Sequence, residues 1–178
     1  VFAGRIPNGP SAVISLVKAE AGTWLLSGSN TYSGGSTLTA GILGVTNPSA
    51  LGTGPITFIS GTLQAFGTDV TLPNASFLTT ATNATISGTQ SLTLSGPFTN
   101  NLASGTLTSS ITPGTGNKLL TISGPTYLQA SGSSGNTFTL AGTGNTTFTG
   151  PITGGPAGNG NFTVTNSGLT VLSVANTY

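Results

Sequence analysis

The residues able to carry acid–base or nucleophilic chemistry are few. The 178-residue chain has two acids, Glu20 and Asp69, three cations, Arg5, Lys18 and Lys118, and neither His nor Cys. Imidazole bases, thiol nucleophiles and the common zinc ligand sets are therefore excluded. Glu20 and Asp69 are the sole candidates for a glycosidase-type carboxyl pair. Such a pair usually sits among further charged positioning groups, and here the bland reading, two solvated turn residues, is favoured. Two scattered acids also make a poor calcium site. Serines are plentiful, and Lys18 or Lys118 could serve one as a base, yet no supporting motif surrounds them. Gly-rich runs such as Gly142-Thr143-Gly144-Asn145 have no strand–loop–helix context and no following lysine, so they read as turns and not as phosphate loops. No catalytic residue, cofactor site or metal site is assigned, and the chain is expected not to be an enzyme.

Trp24, Tyr32, Tyr127 and Tyr178 could stack on sugars, but aromatic side chains more often pack in or beside a core. The sequons at Asn74, Asn83, Asn145 and Asn161 are about as many as chance supplies, so they carry no information on glycosylation.

The elements that must hold these residues are short. Charged residues are 3% of the chain and glycine contributes 28 positions. Ser and Thr make up about a third. A disordered chain usually combines high net charge with few β-branched residues. Here the net charge is +1 and the mean hydropathy is slightly positive, and Thr, Val, Ile and Phe suit a pleated surface. Nucleic-acid binding is excluded by the scarcity of Lys and Arg. Apolar and hydroxyl residues alternate in Thr37-Leu38-Thr39, Ile56-Thr57-Phe58, Leu92-Thr93-Leu94, Leu120-Thr121-Ile122, Phe138-Thr139-Leu140 and Phe162-Thr163-Val164. This is the pattern of strands with one buried face. No segment has convincing helical periodicity. Without Cys, stability must come from a long ladder or from neighbours.

A unit of apolar-Thr-apolar-Ser-Gly recurs at Leu92–Gly96 and Leu120–Gly124, with a related Leu25-Leu26-Ser27-Gly28 and a looser Phe138–Gly142. Gly-Pro steps at 54–55, 96–97, 124–125 and 150–151 precede new strand-like runs, a position where proline is tolerated. The longest internal match pairs Gly22–Tyr32 with Gly168–Tyr178. Repeats of this kind indicate a solenoid, in which each coil buries its inward face only by stacking on its neighbours. Coils of ~20–25 residues would give about seven turns and a rod on the order of 35 Å. Inward aliphatic rows, outward hydroxyl rows and Asn ladders at the turns are expected. A β-sandwich is the rival fold.

The segment Lys18 to Gly52 resembles the autotransporter-associated beta strand repeat of bacterial surface proteins. The resemblance lies in Lys18, Gly22-Thr23, Leu26-Ser27-Gly28, Asn30-Thr31-Tyr32, Gly34-Gly35, Thr37, Ala40-Gly41-Ile42-Leu43 and Ala50-Leu51-Gly52. Glu20 and Ala21 stand where that family tends to have glycine, and Trp24 where it has a smaller residue. The resemblance implies a right-handed parallel β-helix, export by a bacterium, and a spacer or adhesin role.

The expected organisation is an N-terminal β-prone segment, residues 1–17, acting as cap or inter-subunit strand, followed by a solenoid over 18–178. The chain starts at Val1, so an upstream segment is expected, and the last repeat stops at Tyr178. The leading functional expectation is a subunit of an extracellular bacterial filament or surface fibre, joined head to tail. Its interface would comprise Val13, Ile14, Leu16 and Val17 on one side and Leu169, Val171, Leu172 and Tyr178 on the other. The alternative is a passenger or stalk fragment of a longer autotransporter-like adhesin, and the third is a carbohydrate-active β-helix enzyme. Expected partners are copies of the chain or its own continuation, with surface glycans a further candidate, and the outer membrane reached only through a segment not in this sequence.

Overall fold

The computed structural model describes residues 1–79, 83–101, 104–111, 117–128, 136–155 and 160–178. Among the described residues the fold is all-β, without a helix. In chain order the strands are β1 Leu16–Lys18, β2 Thr23–Leu26, β3 Ser36–Leu38, β4 Ile42–Val45, β5 Ile56–Phe58, β6 Thr62–Ala65, β7 Val70–Leu72, β8 Ser76–Leu78, β9 Asn83–Gly88, β10 Leu92–Leu94, β11 Phe98–Asn100, β12 Ser104–Ile111, β13 Leu120–Ile122, β14 Thr126–Tyr127, β15 Asn136–Gly142, β16 Thr146–Phe148, β17 Ile152–Thr153, β18 Gly160–Val164 and β19 Thr170–Leu172. All six alternating runs read from the sequence fall on these strands, with Thr39 just beyond the end of β3.

Among the described residues every pairing between these strands is parallel and joins one coil to the next. The first sheet runs β1-β3-β5-β8-β11-β14-β17, the second β2-β4-β6-β9-β12-β15-β18 and the third β7-β10-β13-β16-β19. The chain thus winds through about six turns of a three-sided β-solenoid. In the first sheet, Leu16, Ser36, Ile56 and Ser76 share a column, a constant step of twenty residues, and Phe98, Thr126 and Ile152 continue it at wider spacing. The third sheet starts only at β7. In the first two turns its side is taken by residues 27–35 and 46–55, which run without strand pairing.

Inward residues form stacked rows. Leu43 and Leu63 precede Ile86 in the second sheet, and Leu72, Leu94, Ile122 and Phe148 line the third. All are buried. Burying one such side chain contributes roughly 1.5–3 kcal/mol, and it is realised only because the neighbouring coils close above and below.

The corners explain the glycine and proline punctuation. Gly22, Gly41 and Gly61 stack at the corner between the first and second sheets with φ of 99°, 68° and 86°, a region side chains disfavour. At the corner leaving the third sheet, Gly96, Gly124 and Gly150 stack so closely that a Cβ on Gly124 would strike the Gly96 carbonyl, and one on Gly150 the Gly124 carbonyl. Pro97, Pro125 and Pro151 follow. Their carbonyls accept the N–H of Ser76, Phe98 and Thr126 at 2.8, 2.9 and 2.8 Å, while the missing proline N–H falls just before a strand, where it interrupts no ladder.

Two details were not readable from the sequence. Within the β-prone segment 1–17, Gly9 and Ala12 pair in an antiparallel bridge around Pro10-Ser11, and regular pairing starts at Leu16. The matching segments Gly22–Tyr32 and Gly168–Tyr178 lie on different sheets, the first through β2 of the second sheet and the other through β19 of the third. Their common feature is that each is the last strand before the chain re-enters the first sheet.

Candidate functional site

The two acids do not meet. Glu20 lies in the corner between β1 and β2, and Asp69 in the corner between β6 and β7, two turns further on. The Asp69 carboxylate is held by Lys118, with Nζ at 2.8 and 2.9 Å from its two oxygens, and accepts the Ser91 N–H at 2.8 Å. The Lys118 hydrogen bonds, and then the Ser91 amide, keep the Asp69 carboxyl below its ordinary range. Ser91 Oγ in turn accepts the Leu119 N–H at 3.2 Å. The result is a clip over three successive coils and not an acid–base pair.

Lys18 is the chain's buried cation, with no exposed surface. Its ammonium donates to the carbonyls of Ala19 at 2.9 Å, Glu20 at 2.6 Å and Ala40 at 3.0 Å. It also lies 5.6 Å from the centroid of the Trp24 ring, within reach of a cation–π attraction. Its three donors meet three backbone carbonyls, and none of these partners is a serine hydroxyl. Room for this comes from corner length. Four residues separate β1 from β2, whereas three separate β3 from β4. Within this longer corner Glu20 takes φ 61°, the one positive φ outside glycine among the described residues, in a stretch where the resembled family tends to have glycine. Among the described residues no group of three His, Cys, Asp or Glu side chains could hold a metal ion.

The aromatic candidates separate by depth. Tyr32 is fully buried, its hydroxyl 2.6 Å from Ser36 Oγ, and burial raises its pKa, partly offset by the Ser36 bond. It is a core residue and not a sugar platform. Trp24 and Tyr127 are half-buried, and Tyr178 is 53% exposed. Asn74, one of the sequon asparagines, is buried and donates to the Gly52 and Gly54 carbonyls at 3.1 and 2.7 Å. The side chain of Asn83 lies outside the described residues.

Asparagines at the corners bond from coil to coil instead of stacking as ladders. Asn30 Oδ1 accepts the Ile6 N–H at 2.7 Å, and Asn176 Oδ1 accepts the Ile152 N–H at 2.8 Å, each reaching back 24 residues. The repeat read from sequence is thus a repeated hydrogen bond. Sequence alone left it hidden, because asparagine at a turn is equally explained by local turn chemistry.

The residues expected at an interface fall at the two ends of the rod. Phe2 bridges Leu26, and Thr31 N–H donates to the Ile6 carbonyl at 3.0 Å, so residues 2–6 lie on the first turn. Val13, Ile14 and Val17 are exposed, whereas Leu16 packs against the core and lines, with Phe2, Ile6, Trp24 and Leu26, an apolar cleft of about 160 Å³. At the other end Leu169, Val171, Leu172 and Tyr178 are all exposed. Phe162 there stacks on Phe138 at 5.7 Å and meets Tyr178 edge-on at 6.1 Å.

These features define a parallel β-solenoid whose charged groups pin corners and clip coils. Residues 16–45, which run from β1 through β4, match the family model of the passenger-associated-transport-repeat. The match includes Lys18, the Gly22 and Gly41 corner glycines and Asn30. No curated protein and no solved structure matches the chain. The repeat and the solenoid together fit an autotransporter passenger-like protein, a class that is secreted or surface-exposed.

Proposed function

We propose that this chain is a rigid solenoid segment of an extracellular bacterial surface protein, acting as a spacer in an autotransporter-like passenger. The observation that carries this reading is the transport-repeat match placed on the first turns of an unbroken parallel stack. A solenoid of this type transmits position along its axis, since each coil contacts only its neighbours. Its charge of +1 and its scarcity of titratable groups suit a structural element. The test is to display the chain on a bacterial surface between a membrane anchor and a reporter epitope. The spacer reading predicts that the epitope moves outward by about 4.8 Å for each coil retained. An epitope height independent of coil number contradicts it.

A second reading is favoured by the two ends. One presents the apolar cleft around Leu16 and Trp24, and the other the exposed Leu172 and Tyr178 beside Phe162. Edge strands β1 and β19 can accept further parallel strands. On this reading copies join head to tail into a filament. Mass of the native protein near 17.4 kDa together with concentration-dependent fibres favours the subunit, and a far larger mass favours the passenger. Deleting Leu169–Tyr178 should abolish the fibres, and unchanged assembly contradicts the filament.

A further inference from the structure

The outer face of the third sheet has a regularity that neither a spacer nor an end-to-end contact needs. Thr71, Thr93, Thr121 and Thr147 stand in register on consecutive coils, and Val171 continues the column. Each lies between two buried inward residues, as in Leu92-Thr93-Leu94, so all point outward. Pro73 fills the next outward position beside Thr71, and on the following coils that position holds Ser95, Ser123, Thr149 and Ser173. Their N–H groups continue the ladder to Leu72, Leu94, Ile122 and Phe148 at 2.9, 2.9, 3.0 and 2.9 Å. The face is therefore a two-column lattice, with a repeat of ~4.8 Å along the axis and ~7 Å along the strand.

Three properties narrow what such a lattice could bind. It is uncharged, since the nearest ions, Asp69 and Lys118, are paired with each other at its edge. The hydroxyls of Thr71, Thr93, Thr121 and Thr147 make no hydrogen bond among the described residues, while Ser95 Oγ donates to the Leu72 carbonyl at 3.3 Å. Threonine is stiff at χ1, so hydroxyl and methyl positions repeat with the backbone. A peptide or nucleic acid would want apolar anchors or charge, and the two columns offer neither beyond Pro73 at one end and Val171 at the other. Periodicity adds affinity only when the partner is periodic too. Hexagonal ice is a neutral oxygen lattice with repeats close to these spacings, and a rigid hydroxyl array has little further conformational freedom to lose on contact.

We propose that the third-sheet face, centred on Thr93, Thr121 and Thr147, is an ice-binding surface. The experiment measures partition of the folded chain into a slowly grown ice hemisphere, together with shaping of single ice crystals. The wild-type chain should enter the ice and facet the crystals. Thr121→Tyr, which breaks the lattice at its centre, should lose both effects, and Thr93→Tyr should do the same. Thr139→Tyr, on the outer face of the second sheet, should retain them. The proposal is overturned if the wild-type chain is excluded from ice like a non-binding control. It is also overturned if the third-sheet variants, with unchanged circular dichroism, still bind, or if Thr139→Tyr loses binding equally. Since Thr121 and Thr93 face solvent, the substitutions leave the core intact, and the wild-type measurement decides the matter even if a variant fails to fold.

Discussion

The ammonium of Lys18 donates to the Ala40 carbonyl of the following coil at 3.0 Å. Two further carbonyls of its own corner complete the cage. Replacing Lys18 with Met keeps the volume but strands three acceptors, so we expect a loss of about 3 kcal/mol, read as a fall in the urea midpoint. Arg should not rescue it, because the planar guanidinium does not match a cage built around a point charge. Wild-type stability in either variant would contradict the account of this corner.

Glu20 sits at φ 61° with its side chain exposed. The left-handed region costs a non-glycine residue about 1 kcal/mol or more. Glu20→Gly should therefore stabilise the chain by about 0.5–1 kcal/mol, the remainder being lost to the greater freedom of glycine when unfolded. Thermal melts of the two proteins compare this directly, and a lower midpoint for the variant would count against the corner geometry.

Thr126 stacks between Phe98 and Ile152 in the inward column of the first sheet, and its buried hydroxyl has no partner among the described residues. A buried hydroxyl without a hydrogen bond costs about 1–3 kcal/mol. Thr126→Val exchanges it for a methyl of similar shape and should raise stability by about 1 kcal/mol in chemical denaturation.

Stability should fall at both pH extremes for separate reasons. The Asp69 pKa is depressed in the folded state, so the contribution of the clip is present above the ordinary carboxylate range and is lost as pH falls through the folded value. Asp69 is half exposed, so this limb amounts to about 1 kcal/mol or less, and Lys118→Met should shrink it. The Tyr32 pKa is raised, so its contribution is complete below the ordinary phenol value and is lost as pH rises through the folded one. Tyr32→Phe should flatten the alkaline limb alone. Urea midpoints measured across pH separate the two limbs.

Much of the fold was legible because one rule repeats. Hydroxyl residues alternate with apolar ones wherever a strand has one buried face, so Leu92-Thr93-Leu94 and Leu120-Thr121-Ile122 announced themselves, and they stack directly. Gly-Pro steps marked corners because few other residues tolerate the backbone approach seen at Gly124. The chemistry of Lys18 was not legible, since its partners are backbone carbonyls, and any sequence supplies those. Nor was the late start of the third sheet, because Asn47-Pro48 marks a turn just as Gly67-Thr68-Asp69 does, and neither says whether a paired strand follows. Tyr32 and Tyr178 occupy equivalent repeat positions yet differ completely in exposure, which depends on whether a further coil lies above.

Consecutive coils stack in parallel register along one axis. Thr37 and Thr153 lie in one outward column of the first sheet, joined through Thr57, Phe77, Thr99 and Tyr127. Five ladder steps separate them, or ~24 Å. The chain has no cysteine, so Thr37→Cys with Thr153→Cys accepts a pair of spin labels cleanly. Pulsed dipolar spectroscopy should give one narrow distribution centred near ~24 Å between label attachment points. A broad distribution, or labels close enough to touch as in a folded-back sandwich, would contradict the solenoid.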